Sequence, residues 1–516
     1  MNSVKKIIVT SFLIGSAFAT NGMNLEGFGP IACGMGGASF AYNNGTAAVM
    51  NNPATLSLIP GGNQFDFSVG LLGPDVGATV MTPFGNMFNK SSGRAYYMPG
   101  FGYTRRYGKI TTGISVFGQG GMGTEFGKNS WMADPSGGNN TSLTSGLINR
   151  SEVSVGRAIL PLVYSVNEKL SFGGSFDYVW AGMDLKMALN ETQFQDLANP
   201  MAQTIGNASG TLVDGFGMMY EPFGGAGIQS LHHAYFNFSD DSDFTGEAKG
   251  TGVAFKLGAL YSLNEKLNIG ATYHSKTSLD DLESDDAEME MALFADPGAF
   301  TGSPTGTYMD IPLTLTGKIV VNDFQWPAIM GVGISYKPME KLMIAADIKQ
   351  IAWSDAMKNF SMTFSADNSD ENGAFGGAIM DANLYQNWED QTVIAFGAEY
   401  QLLNSLALRA GYNYSENPVP DSFLNALFPA TVESHLTAGC RLNIGLASEI
   451  NFSFAVVPEV KNTNPGNGST MPPVESTHSQ TNFSVMYTRI EVIVKQMLRK
   501  VEVLDAGDSK FVNGET

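Results

Sequence analysis

Residues 252–274 read GVAFKLGALYSLNEKLNIGATYH, and their alternation decides how the rest of the chain is read. Val253, Phe255, Leu257, Ala259 and Tyr261 fall on one face of an extended segment, while Lys256, Gly258 and Ser262 fall on the other. After Asn264-Glu265 the pattern resumes: Leu267, Ile269, Ala271 and Tyr273 on the apolar face, Asn268, Thr272 and His274 opposite. Side chains alternate across a strand, so this is a hairpin with one apolar and one polar face. An apolar face turned outward and a polar face turned inward suit a barrel wall in lipid.

The unit recurs in both directions along the chain. Leu160 to Trp180 turns at Asn167-Glu168, Tyr96 to Phe117 at Gly108, and Ile334 to Trp353 near Pro338. Val393 to Tyr414 turns near Asn404, and His435 to Val457 near Gly445. With a first strand near Phe65–Leu72 and a last near Gln480–Glu491, the pattern predicts about fourteen strands, an all-β transmembrane antiparallel barrel. Every short turn then lies at one end. The long connections, roughly 73–94, 120–155, 188–250, 281–310, 362–388, 416–432 and 458–478, lie at the other, which places them outside the cell.

Composition agrees. The chain has 516 residues, of which only 15% are charged, with 60 Gly, 33 Phe and 18 Tyr. Apolar residues reach 43%, yet past the leader no run of about 18 is uninterrupted, so membrane helices are not expected. A net charge of −20 excludes nucleic-acid binding as a main role. Met1–Ala19 reads as a signal peptide: Lys5 and Lys6, an apolar middle, then Ala17-Phe18-Ala19. Cys33 and Cys440 lie far apart in the pattern and are expected to be free thiols.

Between leader and first strand stands NLEGFGPIACGMGGASFAYNNGTAAVMNNPATLSL, residues 24–58. It has no strand alternation, is rich in Gly, Ala and Asn, and bends at Asn52-Pro53-Ala54. It is expected to be ordered only inside something that encloses it. The Gly-rich run, Met35-Gly36-Gly37-Ala38, Ala41-Tyr42 and Asn52-Pro53-Ala54 resemble the N-terminal hatch of the outer-membrane long-chain fatty acid and aromatic-hydrocarbon transporters of the FadL/TodX type. Gly123-Thr124-Glu125-Phe126, Ser171-Phe172-Gly173, Trp353-Ser354 and Asn417-Pro418-Val419-Pro420 are similar to that family in the same order.

The resemblance implies residues 20–58 as a plug in the lumen, 59–493 as the barrel and 494–516 as a C-terminal extension with no assigned role. It implies a monomer that passively takes up hydrophobic small molecules and is surrounded by outer-membrane lipid and lipopolysaccharide, without cofactor, metal or catalytic residues. It also implies lateral release where the third strand kinks, near Gly118, Gly120 and Gly121, with Asn52-Pro53-Ala54 fixing the plug beside that gap. The family's two basic carboxylate-holding positions correspond here to Met187, one step from Lys186, and to Leu384. Neutral hydrocarbons or lipids are therefore as well suited as fatty acids. Trp180 and Trp388 are assigned to the lumen pocket beside them, although a belt or packing role suits both.

The apolar residues of two loops offer an outer groove: Met218, Met219 and Phe223 in the first, Met291, Phe294 and Phe300 in the second. Self-packing of the loops is the simpler alternative. An adhesin or structural barrel is the alternative function. A barrel lipid hydrolase is a weaker one, since no Ser is paired with an oriented His in the sequence.

Overall fold

The computed structural model describes residues 21–60, 62–135, 146–242, 245–445, 447–467 and 471–491. The predicted leader and the C-terminal extension lie outside them. Fourteen strands form the wall: β1 (Asn63–Thr82), β2 (Tyr96–Tyr107), β3 (Ile110–Phe126), β4 (Asn149–Ser165) and β5 (Leu170–Asn190); β6 (Ala248–Asn264), β7 (Leu267–His274), β8 (Ile329–Met339), β9 (Leu342–Ile351) and β10 (Gln391–Leu403); β11 (Leu406–Ser415), β12 (Ser434–Asn443), β13 (Ser448–Asn464) and β14 (Val474–Glu491). Each pairs antiparallel with the next, and β14 pairs with β1 over Asn63↔Glu491 to Val80↔Val474, which closes the ring. Closure pairs the first strand with the last, so the sheet has no terminal edge strand.

The alternation read from the sequence is the alternation observed. On β6, Phe255, Leu257 and Tyr261 are exposed on the outer surface, whereas Lys256 and Leu260 are buried. Tyr107, Tyr164, Tyr261, Tyr336, Tyr400 and Tyr487 are exposed near the short-turn end, and Tyr178, Tyr273, Tyr412 and Tyr414 near the other, as interfacial girdles require. Cys440 is free on the outward-facing set of β12, and Cys33 is free in the plug.

The long connections are shorter than the pattern suggested, because the wall strands run on. β1 reaches Thr82 and β3 reaches Phe126. The segment 281–310 is mostly strand, not loop. Leu282–Ala295 pairs with Met309–Asn322 on one side and Ile228–Phe238 on the other. Asn359–Ala366, Ile379–Tyr385 and Gly206–Ser209 continue that sheet, which grows from the end of β5. Its apolar face packs Met289, Leu315 and Phe364 together with two helices, Glu191–Ala198 and Thr211–Met219. An asparagine–glutamine capping box, Asn190 with Gln193, starts the first helix.

Residues 21–60 lie inside the barrel in short helical turns, buried almost throughout. A segment with so few side chains to pack is held by its backbone, and the wall supplies the partners. Asp347 accepts from the amides of Ser39 (2.6 Å) and Phe40 (3.0 Å), and Asp66 from that of Thr46 (2.6 Å). Asn413 donates to the Gly36 carbonyl (3.0 Å), and Thr437 accepts from the Gly36 amide (2.9 Å). Gly36 takes φ +68° directly against the backbone of Tyr412, so a side chain here would meet both strain and a wall.

Candidate functional site

At the long-loop end a cavity of about 1010 Å³ lies in the barrel mouth. Val80 and Met87 line it from the β1 hairpin, Met187 and Leu189 from the end of β5, and Leu384 from the outer sheet. Strand parity brings Met187 and Leu189 to the inside, since Lys186 faces the other way. The two positions that lack the expected bases therefore do meet in one cavity. Leu384 sits in the strand Ile379–Tyr385 and not at the start of β10, which begins at Gln391.

No Lys or Arg is among the described residues that line this space; its ionisable side chains include Asp134, Glu191 and His232. Glu191 accepts from the Tyr220 hydroxyl (2.5 Å) and the Leu231 amide (3.1 Å), and His232 lies 3.0 Å from Asp310.

Three expected members of the lumen pocket, Trp180, Lys186 and Trp388, do not line this cavity. Trp180 is on the outward face of β5 beside Tyr178 and is 38% exposed, because even-numbered residues of this strand point to lipid. Lys186 shares that parity and pairs with Asp241 at 2.6 Å, next to an ion cluster in which Arg150 meets Glu152 (2.8 Å) and Glu125 (3.0 Å). It is buried and spent on that ion pair, away from the cavity. Trp388 is buried and does not line this cavity: it meets Trp353 edge-to-face (5.2 Å), which in turn meets Trp326 edge-to-face (5.9 Å), where the outer sheet joins the wall.

The six residues of the expected outer groove do not line the cavity. Met291 is buried on the packed face of its strand, with Met219, Phe223 and Phe300 against the same core. Phe294 packs on Tyr308 (6.1 Å), and Met218 is 75% exposed. The loops pack against themselves.

The wall has its irregularity where the Gly-rich part of β3 was expected to give one. The β2–β3 ladder ends at Gly100↔Phe117. Beyond it the β3–β4 register slips between Gly118 and Gly120. There β3 pairs with the plug instead: Asn24 bridges Gly120, and the Gly121 amide donates to the Met23 carbonyl (3.3 Å). In the ladders Tyr96 to Pro99 of β2 pair with β1, and Met98 lies against Gly118 beside the end of the β2–β3 ladder. A bulge at missing side chains is the cheap way to make such a break.

Asn52-Pro53-Ala54 is not beside it. Asn52 donates to Phe40 (2.7 Å) and Ala259 (3.1 Å), and the tripeptide sits on Gly173 of β5 and Gly258 of β6. Its tight turn needs walls without side chains, and those glycines provide them. The plug residues at the break are Met23 and Asn24, with Gln119 donating to Asn24 (3.2 Å). Their partners lie about a hundred positions away in the chain, and no local pattern marks them.

A closed barrel with a polar-clamped plug, an outer cavity and a break in its wall defines a class: membrane channels that pass molecules around or beside an internal plug. The chain belongs to the outer membrane protein transport proteins (OMPP1/FadL/TodX), a family whose pattern matches residues 6–489. The Pseudomonas putida toluene transporter TodX is 28% identical, with 91% of this chain and 100% of that chain covered at a TM-score of 0.73. The Ralstonia pickettii toluene transporter TbuX is also 28% identical, with 90% and 99% covered at a TM-score of 0.67. A Pseudomonas aeruginosa FadL homologue shares the fold at 16% identity, with 92% and 99% covered and a TM-score of 0.60.

The curated relatives match only in part. A Chlorobium limicola protein named for the 5′ region of its phosphoenolpyruvate carboxykinase gene is 52% identical over 67 residues, 12% of this chain and 33% of that protein. The DNA-directed RNA polymerase subunit beta′ of Ruthia magnifica is 63% identical over 43 residues, 8% of this chain and 3% of that one. The chain thus spans about a third of the first of these relatives and a small part of the second. The barrel is an outer-membrane protein, and its long-loop end is the extracellular one by the usual barrel arrangement.

Proposed function

We propose that this protein carries neutral hydrophobic small molecules passively across the outer membrane; two of the proteins it resembles are named toluene transporters. The observation that carries the ligand class is the cavity. Its Met and Leu side chains suit apolar ligands of variable shape, its volume is of the size that holds one small molecule, and no base lines it to hold a carboxylate. An ionised carboxylate brought there would lose its hydration without a partner and would meet Asp134 and Glu191.

Ligand enters the cavity, where Met187 and Leu384 make contact, passes the plug, and leaves through the break between β2 and β3 into lipid. Sideways release suits an apolar molecule, since each CH₂ kept out of water is worth about 0.8 kcal/mol. A single barrel suffices, so the protein acts as a monomer.

The test compares a long-chain fatty acid with its methyl ester for binding to the purified barrel at neutral pH. The ester is expected to bind at least as tightly. A tenfold preference for the anion, about 1.4 kcal/mol, would overturn the assignment and require a cation elsewhere on the path.

A further inference from the structure

The wall carries two cations on its lipid-facing side at the short-turn end, one on each side of β1. The β1–β2 register sets Phe65 opposite Tyr103 and Asn63 opposite Arg105, and the β1–β14 register sets Phe65 opposite Arg489. Arg105 shares the outward parity of Phe101, Tyr103 and Tyr107, whereas Arg106 turns inward and donates to the Ser57 carbonyl of the plug (2.8 Å). Arg489 shares the outward parity of Phe483 and Tyr487 and is exposed. Both guanidinium groups thus stand at the depth of the tyrosine girdle.

Among the described residues neither makes an ion pair. Arg105 lies over the Tyr107 ring, 4.4 Å from its centroid, and its Nε is buried without a hydrogen-bond partner. Arg489 donates to the Ser448 hydroxyl at 3.3 Å, a neutral partner. Glu491, one step nearer the water on the same face of β14, accepts from Asn63 at 3.4 Å. A charge that faces lipid is costly unless it reaches water or an anion. The two α-carbons are two strands across and two residues along, roughly 12 Å apart. Both long side chains can therefore reach one group lying over Asn63 and Phe65, and guanidinium matches the oxygens of a phosphate.

The surface above the pair is apolar. The rings of Phe65 and Tyr103 pack 4.6 Å apart, and beyond them Phe67 stands opposite Phe101, both exposed. The β2–β3 ladder ends at Gly100, five residues from Arg105. At the usual strand tilt that is a rise of roughly 13 Å, close to half the hydrocarbon core.

We propose that Arg105 and Arg489 together hold the phosphate of one glycerophospholipid of the periplasmic leaflet, with its acyl chains laid along Phe65, Phe67 and Phe101. The tails of that lipid end beside the break in the wall. The site lies outside the lumen, so it goes beyond the transport reading and does not depend on it.

The experiment uses the purified full-length barrel in detergent and reads bound lipid by native mass spectrometry. The probes are palmitoyl-oleoyl phosphatidylglycerol and palmitoyl-oleoyl glycerol, which share their tails and differ by the phosphate-bearing headgroup. The phospholipid is expected to bind at least tenfold more tightly. Arg105→Gln and Arg489→Gln should each weaken it, and the double variant should lose the preference while binding the diacylglycerol as before. Lys266→Gln, at the short turn between β6 and β7, should keep native binding. Variants are compared only where heat-modified gel migration shows a folded barrel.

Equal binding of the two lipids overturns the proposal, and so does native phospholipid binding in the double variant. A loss with Lys266→Gln as large as with Arg105→Gln would show attraction to the whole basic rim, and overturns a defined site. Release of the phospholipid by an excess of inorganic phosphate alone would show a phosphate site in which the tails play no part, and overturns it too.

Discussion

Asp296 closes the loop between two strands of the outer sheet and is satisfied from several directions. The amides of Gly298 (2.8 Å), Thr305 (2.6 Å) and Gly306 (2.6 Å) donate to it, as does the Thr305 hydroxyl (3.0 Å). Burial works to raise its pKa, but these hydrogen bonds favour the charged form more strongly and hold it below the ordinary aspartate value. A depressed folded pKa gives stability that is present above the unfolded value, about 3.9, and is lost as pH falls through the folded one. Residues 296–306 should therefore stay protected from amide exchange at pH 5 and open only once the pH falls below the ordinary aspartate range. Asp296→Asn should open the loop at pH 5 as well; protection unchanged in that variant would remove Asp296 as the loop's anchor. The sequence shows Asp296 only as one more acid in an acidic region, since its partners are backbone amides. Parity is legible where the sequence is strictly alternating: it sends Tyr178, Trp180 and Lys186 to one face of β5 and Met187 to the other. The places in a lumen pocket expected for Trp180 and Lys186 do not survive that alternation.

At the scale of the element, the outer strand Leu282–Ala295 explains why an acidic run was read as a loop. Glu283, Asp285, Asp286 and Glu288 alternate with buried Leu282, Ser284, Ala287 and Met289, except that two acids stand together. The register slips between Ser284 and Ala287, so both Asp285 and Asp286 point outward. One bulge removes the period-two signal that identifies a strand. β3 shows the opposite case, where clustered glycines announced a bulge and the plug fills its inner side. Filling that region has different consequences at neighbouring positions. A side chain at Gly120 would strike the Met23 carbonyl and Trp326, moving the plug, whereas one at Gly118 meets only flexible Met98. Gly118→Leu is thus the cleaner block. It should fold normally, bind p-xylene in the outer cavity with unchanged affinity, and take it up at least tenfold more slowly. Uptake at the native rate in a folded barrel would show that ligand does not leave between β2 and β3.

For the whole molecule, the wall was legible because lipid outside and polar groups inside impose one rule on every strand, and short turns separate the repeats. The plug's presence was legible from composition, but its docking was not. Asp66, Asp347, Asn413 and Thr437 reach it from strands spread across the chain. Those contacts show what the plug does for the barrel. The wall's inner face carries buried carboxylates and amides that bond to plug backbone, and the fourteen-strand lumen would otherwise hold water. Deleting Asn24 to Ala47 removes the partners of Asp347, Asp66 and Asn413 and leaves those groups to be hydrated. The barrel should still close, because the β1–β14 ladder and every other wall pairing lie outside the deleted segment. The variant should then conduct small ions in planar bilayers, with stable steps at least tenfold above the native protein's. It should also lose the p-xylene dependence of uptake on Gly118, since an open lumen bypasses the wall. If the deletion leaves conductance at the native level, the remaining residues 48–60 block the lumen by themselves, and the clamps on Ser39, Phe40 and Thr46 serve placement of the plug and not closure of the pore.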